Sequence, residues 1–298
     1  MRVVFVLALV GCATTPRAAT TTSPHDSNRH FELHLPAHPP PGRYPLVVAL
    51  HGAFGSGAHL EETIGLDAIA DREGFAVVYP DGVNSRWNDG RPDEGEVDDV
   101  GFIRSLIDEL ATTHPIDPGR VYALGMSNGG MLAYRLGCEL ADKLVAIASV
   151  AGELPAAIAR FCHPARAISV LAINGTADQL VPFEGGPVIG SRNGRLGRPR
   201  GAVIGALHSV ALFAANARCG RPTITAEPNR DPGDGTTVKA IAFDGCAGGA
   251  SMQLLEIDGG GHTWPGGTTE LEAINGVRSR EFSAAERIWQ FFAAHRRS

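Results

Sequence analysis

The chain has 298 residues, of which 44% are hydrophobic and 19% charged, and its formal net charge is −6 at pH 7. This globular composition excludes wholesale disorder and a coiled coil, and the acidic balance excludes a basic surface for nucleic acid. The 26 basic residues include only two lysines, Lys143 and Lys239, which leaves little scope for an enzyme that forms a Schiff base. The length allows two average domains or one large α/β domain.

The N-terminal residues have the features of an export signal. Arg2 precedes an apolar run from Val3 to Val10, which is far shorter than the ~20 residues needed to cross a bilayer. The run ends in Leu9-Val10-Gly11-Cys12, which resembles a bacterial lipobox, where the cysteine is lipidated. We therefore predict a signal peptide over residues 1–12 with lipidation of Cys12. The alternative is a plain signal peptide and a freely secreted protein.

The segment after the signal differs in composition from the rest of the chain. Residues 13–30 are rich in Thr, Ala, Pro and Ser without apolar periodicity, which predicts a flexible tether. Residues 31–298 suit one large domain and contain no internal repeat. Within them, residues 184–201 are crowded with glycine and arginine, which predicts a solvated flexible loop.

Apolar runs alternate with helical patterns along the predicted domain. Leu46-Val47-Val48-Ala49-Leu50 is continuously apolar, as in a strand buried on both faces of a parallel sheet. Asp98 and Asp99 stand in the first turn of a helical pattern, and we interpret them as helix-start acids rather than a metal pair. The alternation predicts a single α/β domain, with a mainly parallel sheet and helices on both faces. The predicted strands are 46–50, 75–79, 120–124, 144–150, 167–173 and 252–257, and the predicted helices are 98–114, 128–140, 203–217 and 283–295.

A candidate nucleophile stands at the carboxyl end of one predicted strand, where chemistry gathers in such sheets. The sequence Gly125-Met126-Ser127-Asn128-Gly129 lies between this strand and a predicted helix. It is the pattern of a nucleophile elbow, a turn so tight that only small residues fit two positions on either side of the serine. We predict that Ser127 is an exposed nucleophile, with the helix N-terminus behind it to favour negative charge.

A serine nucleophile requires a base, and His262 is the histidine best placed to supply it. It follows the predicted strand 252–257 in a loop with three consecutive glycines, which let the backbone approach a neighbouring loop. The other histidines after Ser127 precede a strand or lie in predicted helices. We therefore predict His262 as the general base.

The base in turn requires a carboxylate to orient it. Asp178 follows the predicted strand 167–173 and lies between Ser127 and His262 in chain order, as this kind of fold requires. The rivals are Asp258, which is too near His262 in sequence to face its ring, and Glu184, which begins the predicted loop. We therefore predict Asp178 as the third catalytic residue.

Two backbone amides are expected to hold the oxyanion. One is the amide of Asn128, which follows the nucleophile. The second is expected from the glycine-rich loop after residue 50, where Ala53 is preferred to Phe54. We predict that His51 in the same loop braces it and is not a base.

Together these residues resemble a known family, the secreted polyhydroxybutyrate depolymerase-like esterases, which are related to feruloyl and acetyl-xylan esterases. The resemblance extends from about Phe31 to His295. It implies an α/β-hydrolase fold, the triad of Ser127, Asp178 and His262, and no metal or organic cofactor. The motifs that carry it are His51-Gly52, Trp87-Asn88, Val97-Asp98-Asp99-Val100-Gly101-Phe102, Gly125-Met126-Ser127-Asn128-Gly129-Gly130-Met131, Asn174-Gly175-Thr176-Ala177-Asp178 and Gly261-His262-Thr263-Trp264-Pro265-Gly266.

The resemblance leaves the ester substrate open among polyester oligomers, aryl esters and acylated carbohydrates. Trp87, Trp264 and Phe54 are candidate substrate-binding residues, with simple packing as the alternative for the tryptophans. The arginines of residues 184–201 are an alternative site of attraction for carboxylated polymer ends. A serine peptidase of the same fold and an inactive surface lipoprotein are the functional alternatives from other classes.

The five cysteines divide into one and four. Cys12 belongs to export, and the other four would enter an oxidising compartment, where three pairings are open to them. Sequence neighbours and the family resemblance favour Cys138–Cys162 and Cys219–Cys246. No nucleic-acid partner is expected, and a membrane is expected only through a lipid anchor on Cys12.

Overall fold

The computed structural model of the protein describes residues 19–22, 29–192, 195–268 and 275–297. The signal peptide and the lipidation predicted at Cys12 fall outside these residues. None of the helices formed by the described residues has the length and apolar character required to cross a membrane.

Strands and helices alternate through the described residues, as the sequence predicts. The strands are β1 (Ala19–Thr22), β2 (His30–His34), β3 (Tyr44–Leu50), β4 (Ala76–Pro80), β5 (Ile116–Met126), β6 (Ala146–Val150), β7 (Ser169–Gly175), β8 (Gly185–Arg192), β9 (Arg195–Ile204), β10 (Pro222–Ala226), β11 (Thr237–Phe243) and β12 (Met252–Asp258). The helices are α1 (Gly57–Ile64), α2 (Leu66–Glu73), α3 (Asp99–Thr113), α4 (Asn128–Glu139), α5 (Ala156–Ala159), α6 (Ala206–Asn216) and α7 (Ala284–Ala293).

One large sheet organises the domain, with strand order β1-β2-β4-β3-β5-β6-β7-β12-β11-β10. The six central strands are parallel to one another: β4, β3, β5, β6, β7 and β12. The outer strands pair antiparallel, β1 and β2 at one edge and β11 and β10 at the other. The predicted α/β-hydrolase fold with a mainly parallel sheet is confirmed. Because β5, β7 and β12 run in the same direction, the loops after them meet at one edge of the sheet.

The sheet separates two apolar cores. Leu46, Val48 and Leu50 of β3 join the core with helices α3, α4 and α6, whereas Val47 and Ala49 join the core with α1, α2 and α7. Successive side chains of a strand point to opposite faces. Burial on both faces is therefore the reason why this strand is apolar at every position.

The flexible tether predicted over residues 13–30 is wrong in part. Residues 19–22 pair antiparallel with β2, and Arg29 is only 4% exposed. The Arg29 guanidinium pairs with Asp99 and lies 3.8 Å from the ring centroid of Phe102. The folded domain thus includes residues that composition alone assigned to a linker.

The two acids predicted to start a helix have different environments. The Asp98 side chain caps α3 by accepting a hydrogen bond from the Gly101 amide at 2.9 Å, as expected of a helix-start residue. Asp99 is buried, and besides Arg29 it accepts the Asn88 amide at 2.6 Å. Asp99 therefore fixes the loop before α3 in addition to starting the helix.

The flexible loop predicted at residues 184–201 is also wrong, because strands β8 and β9 form an antiparallel hairpin there. The helix predicted at 203–217 consequently starts later, at Ala206, since Val203 and Ile204 still belong to β9. Glycine and arginine are poor indicators of a strand, which is why composition suggested a loop. We call residues 185–192 and 195–204 the hairpin.

Both disulfides that the resemblance implied are present. Cys138 at the end of α4 is bonded to Cys162, and Cys219 after α6 is bonded to Cys246 after β11. Each bond closes a loop of more than twenty residues, with sequence separations of 24 and 27. The chain-entropy estimate for loops of this size is about 3 kcal/mol each.

Candidate active site

Ser127 occupies a strained turn between β5 and α4. Its φ and ψ of 55° and −119° lie in a region that residues with a side chain seldom adopt. A Cβ on Gly129 would stand 2.2 Å from the carbonyl oxygen of Leu50, so only glycine fits where the helix start meets β3. The turn leaves Ser127 partly exposed, although its neighbours Gly125 and Asn128 are buried. This geometry presents the hydroxyl at the carboxyl edge of the sheet.

Asp178 and His262 meet at the same edge from the loops after β7 and β12. His262 Nδ1 lies 2.7 Å from Asp178 Oδ2, and both side chains are less than a tenth exposed. Asp178 Oδ1 accepts the amides of Leu180 and Val181 at 2.8 and 2.9 Å. Because backbone donors hold one carboxylate oxygen, the other is fixed toward the imidazole. Nδ1 then carries the proton, and Nε2 carries the lone pair that a base needs.

The rival carboxylates lie elsewhere. Asp258 is exposed and accepts a hydrogen bond from the Thr176 hydroxyl at 3.1 Å. Glu184 is exposed at the start of the hairpin. Of the three acids considered from the sequence, Asp178 is thus the one that contacts His262.

The loop after β3 approaches the nucleophile closely. A Cβ on Gly52 would lie 3.6 Å from the Ser127 Cβ. The Phe54 amide donates to the Ser85 carbonyl at 2.8 Å and is therefore committed to the scaffold. Ala53, the preferred second oxyanion donor, lies between these two residues and lines the same cavity as Ser127 and Asn128.

His51 holds this loop in place through both ring nitrogens. Nε2 accepts the Gly82 amide at 3.0 Å, and Nδ1 lies 2.8 Å from the Gly52 carbonyl oxygen, to which it donates. An Nε2 that accepts cannot carry a proton, so the ring is neutral, and burial lowers the His51 pKa. These contacts support the prediction that His51 braces the loop.

Trp87, for which the sequence left substrate contact and simple packing open, lies fully buried beneath the loop after β3. Its Nε1 donates to the His51 carbonyl at 2.9 Å, and its amide donates to Asn128 Oδ1 at 2.8 Å. The Asn128 Nδ2 group donates to the Trp87 carbonyl and to Asp89 Oδ2, at 2.9 and 2.8 Å. Trp87 thereby ties the loop after β3 to the start of α4.

A cavity of about 360 Å³ opens over Ser127 and His262. Trp264 and Phe54, the other two candidate substrate-binding residues, line it; Trp264 is 3% exposed and Phe54 57%. The hairpin forms part of its wall through Val188, Ile189, Gly190 and Arg200. The aliphatic lining includes Leu60, Ile64, Met131, Leu180, Val181 and Val188.

A buried carboxyl behind Asp178 was missed from the sequence. Glu153, in the loop after β6, is 1% exposed and accepts a hydrogen bond from Asn174 Nδ2 at 2.8 Å. Glu153 Oε2 and Asn174 Oδ1 are both buried without a donor. Burial, followed by the charge of Asp178, raises the Glu153 pKa well above its usual range.

Among the described residues, one group of side chains could ligate a metal, namely His34, Glu61 and Asp67, whose ligand atoms lie within 4.8 Å of one another. None of the three lines the cavity. His34 is already paired with Asp67 at 3.3 Å and with Asp71 at 2.9 Å. Asp67 also accepts the Tyr79 hydroxyl at 2.5 Å. The contacts of Asp67 and Asp71 with His34 and Tyr79 anchor α2 to strands β2 and β4.

The sequence matches the model of the family described as Esterase PHB depolymerase over residues 30–217. It is 38% identical over 275 residues to a putative esterase, NocK, of Nocardia uniformis subsp. tsuyamanensis, covering 88% of this chain and 78% of that protein. It is 32% identical to feruloyl esterase B of Piromyces equi, covering 73% of this chain but only 39% of that longer protein. Feruloyl esterase C of Emericella nidulans is 26% identical over 95% of this chain and 90% of its own length.

Among solved structures, the acetyl xylan esterase from Aspergillus awamori superposes with a TM-score of 0.60. The match covers 90% of this chain and 94% of that chain at 13% sequence identity, so it bears on the fold alone. The family match covers more than half of the chain and includes the elbow and Asp178. The chain therefore belongs to the esterase PHB depolymerase family, and it is a carboxylic ester hydrolase of the α/β-hydrolase fold.

Proposed function

We propose that the protein hydrolyses esters through a triad of Ser127, His262 and Asp178 and a covalent acyl-enzyme. The observation that carries this proposal is the 2.7 Å contact between His262 Nδ1 and Asp178 Oδ2 at the sheet edge that also presents Ser127. Two backbone amides fix the carboxylate, so the imidazole is oriented before substrate arrives. Such preorganisation is what a general base requires.

In the acylation step, His262 Nε2 takes the proton of the Ser127 hydroxyl while Oγ attacks the ester carbonyl carbon. The carbonyl electron pair moves to oxygen, where the amides of Asn128 and Ala53 stabilise it. When the tetrahedral intermediate collapses, the bond to the alkoxy oxygen breaks. The leaving alcohol takes its proton from His262, whose charged form Asp178 stabilises.

Deacylation repeats these roles with water as the nucleophile. His262 takes a proton from water, the hydroxide oxygen attacks the acyl carbon, and the same two amides hold the oxyanion. Collapse releases the carboxylic acid and returns the proton to Ser127. The neutral, fully bonded His51 takes no part in either proton transfer.

We assign the enzyme to polyhydroxybutyrate depolymerase-like action on polyester oligomers. The aliphatic cavity lining supports this assignment, because short branched acyl groups are complementary to it. Action on feruloyl or acetyl-xylan esters is the alternative. Phe54 favours it: the ring is 57% exposed at the cavity and lies 5.1 Å from the Arg86 guanidinium, a position suited to stacking on an aromatic acyl group.

A turnover panel tests the assignment. We expect higher kcat/KM for linear 3-hydroxybutyrate oligomers than for methyl ferulate or for acetate release from acetylated xylan. A preference for either plant ester would replace the polyester assignment with its alternative. An enzyme inactive on all three and on short 4-nitrophenyl esters would contradict the proposal as a whole.

We further propose that the protein is exported and anchored through a lipid on Cys12. The two disulfides support export, because such bonds persist in oxidising compartments. In a bacterial host, the wild type is expected to incorporate labelled palmitate and to sediment with membranes, whereas Cys12→Ala does neither. Unlabelled wild-type protein in the medium would instead establish a plain signal peptide.

A further inference from the structure

Among the described residues, the aspartate, glutamate, lysine and arginine side chains that line the cavity are all arginines. Arg86, Arg91 and Arg200 line it, and the described residues contribute no aspartate or glutamate to the same lining. Arginine binds carboxylates well because its planar guanidinium offers paired donors. A ligand carboxylate would bind best to an arginine that has no carboxylate partner in the protein.

Two of these arginines form ion pairs with carboxylates of the protein. Arg91, which is 3% exposed, pairs with Asp89 at 2.6 Å and with Glu94 at 3.1 Å. Arg86 pairs with the same Glu94 through two guanidinium nitrogens. The buried carboxylates therefore satisfy these two guanidinium groups, which hold the loop after β4 in shape.

Arg200 differs from both. It is half-buried on β9 of the hairpin, and no carboxylate of the described residues lies within ion-pair distance of it. Its carbonyl oxygen accepts a hydrogen bond from Arg91 Nη1 at 2.7 Å, which fixes its backbone. Its side chain passes Gly190 on β8, where a Cβ would stand 3.3 Å from Arg200 Cδ. The fixed backbone of Arg200 and the contact of its side chain with Gly190 place this cation in the cavity wall.

We propose that Arg200 binds a free carboxylate on the substrate, so that the enzyme prefers esters that carry a negative charge near the reacting carbonyl. This inference rests on the proposed function and names its substrate class. The charge belongs either to the alcohol portion, as in a linear hydroxyacid oligomer, or to the acyl portion, as in a monoester of a dicarboxylic acid. In both cases the aliphatic wall contacts the chain between the two ends.

Matched substrate pairs test the proposal. The first pair is the linear 3-hydroxybutyrate dimer and its terminal primary amide, and the second is mono-(4-nitrophenyl) glutarate and 4-nitrophenyl pentanoate. In at least one pair we expect the wild type to favour the anionic ester in kcat/KM by about tenfold or more, the usual scale of a charge-assisted hydrogen bond. The pair that shows the preference identifies the portion that carries the charge.

The variants are Arg200→Gln, Arg200→Lys and the control Arg198→Gln, which removes an exposed charge from the same strand outside the cavity lining. Arg200→Gln is expected to abolish the anionic preference, Arg200→Lys to keep part of it, and Arg198→Gln to keep all of it. In the wild type, added salt is expected to lower kcat/KM for the anionic ester more than for the neutral one.

A wild type that hydrolyses neutral and anionic esters equally well in both pairs would overturn this inference and leave the proposed function intact. Equal loss of preference in Arg198→Gln would also overturn it, since the effect would then come from general surface charge. A wild type inactive on every ester would overturn the proposed function itself.

Discussion

The carboxyl edge of the parallel strands and the hairpin face the same cavity but are held in different ways. At the edge, the Ser127 amide donates to Val150, and backbone amides hold one oxygen of Asp178. The hairpin is a separate two-stranded sheet, whose links to the domain include the Arg91 contact to the Arg200 carbonyl and a bridge between Pro155 and Val203. The Ile189 and Ile204 amides also donate to the carbonyls of Leu180 and Leu154, at 2.8 and 3.0 Å.

This difference separates chemistry from selectivity. The proposed reacting groups lie on loops that the main sheet fixes directly. A substitution in these loops is therefore expected to change the rate of hydrolysis of every ester. The hairpin contributes wall residues, and its Ile189 amide donates to the carbonyl of Leu180 rather than to Asp178 or His262. A change of a hairpin side chain in the wall is therefore expected to alter the choice among esters. Rigid scaffolds with variable walls are a common way to change substrate without changing mechanism.

The largest expected effect comes from the edge, in Asp178→Asn. The amides of Leu180 and Val181 would hold the asparagine oxygen and turn its NH₂ group toward His262, which reverses the imidazole tautomer. We expect kcat to fall about 10⁴-fold for neutral and anionic esters alike. Steady-state kinetics check this.

The matched control is Asp258→Asn, which removes an exposed carboxylate near the same loops. It is expected to retain activity. Comparable losses in the two variants would show that Asp178 is not the carboxylate that orients His262.

A smaller effect is expected from the disulfides. Removing Cys138–Cys162 by double serine substitution is expected to lower the free energy of unfolding by about 3 kcal/mol, and so is removing Cys219–Cys246. The first bond lies beside α5, which contacts β9, so its loss should also reduce hydrogen-exchange protection of the hairpin amides. Denaturant unfolding and hydrogen exchange check both parts. Equal hairpin protection in the two variants would show that the hairpin is held independently of this bond.

A pH dependence of stability is expected from Glu153. Its raised pKa means that the folded protein keeps a proton that the unfolded chain releases above about pH 4.3. Stability therefore falls as pH rises from that value, by at most about 1.4 kcal/mol per unit, until the raised pKa is reached. Glu153→Gln removes this cost, so its advantage over the wild type should be absent at low pH and grow toward neutrality.

Thermal unfolding between pH 4 and pH 8 checks this prediction, with the exposed Glu184→Gln as control. An advantage that does not change with pH would show that Glu153 titrates normally in the folded protein.

The sequence predicted which side chains lie at the carboxyl edge of the sheet because the motifs that carry them are local. A glycine-flanked serine after an apolar run, and an aspartate and a histidine after later runs, need only chain order and strand direction to be brought together. The two roles considered for Trp87 could not be separated, and Glu153 was missed, because their partners, His51 and Asn174, are distant in sequence. The hairpin was missed because its pairing depends on register between glycine-rich segments that lack apolar alternation.

The central claim is that Ser127 is an activated nucleophile, and covalent labelling with a fluorophosphonate probe tests it most directly. Intact mass and peptide mapping are expected to show one adduct, on Ser127, in the wild type. No adduct is expected in Ser127→Ala, and labelling is expected to be strongly slowed in His262→Ala. Ser105→Ala, on α3 outside the cavity lining, is expected to label like the wild type. A folded wild type that does not label, or that labels on another residue, would contradict the account.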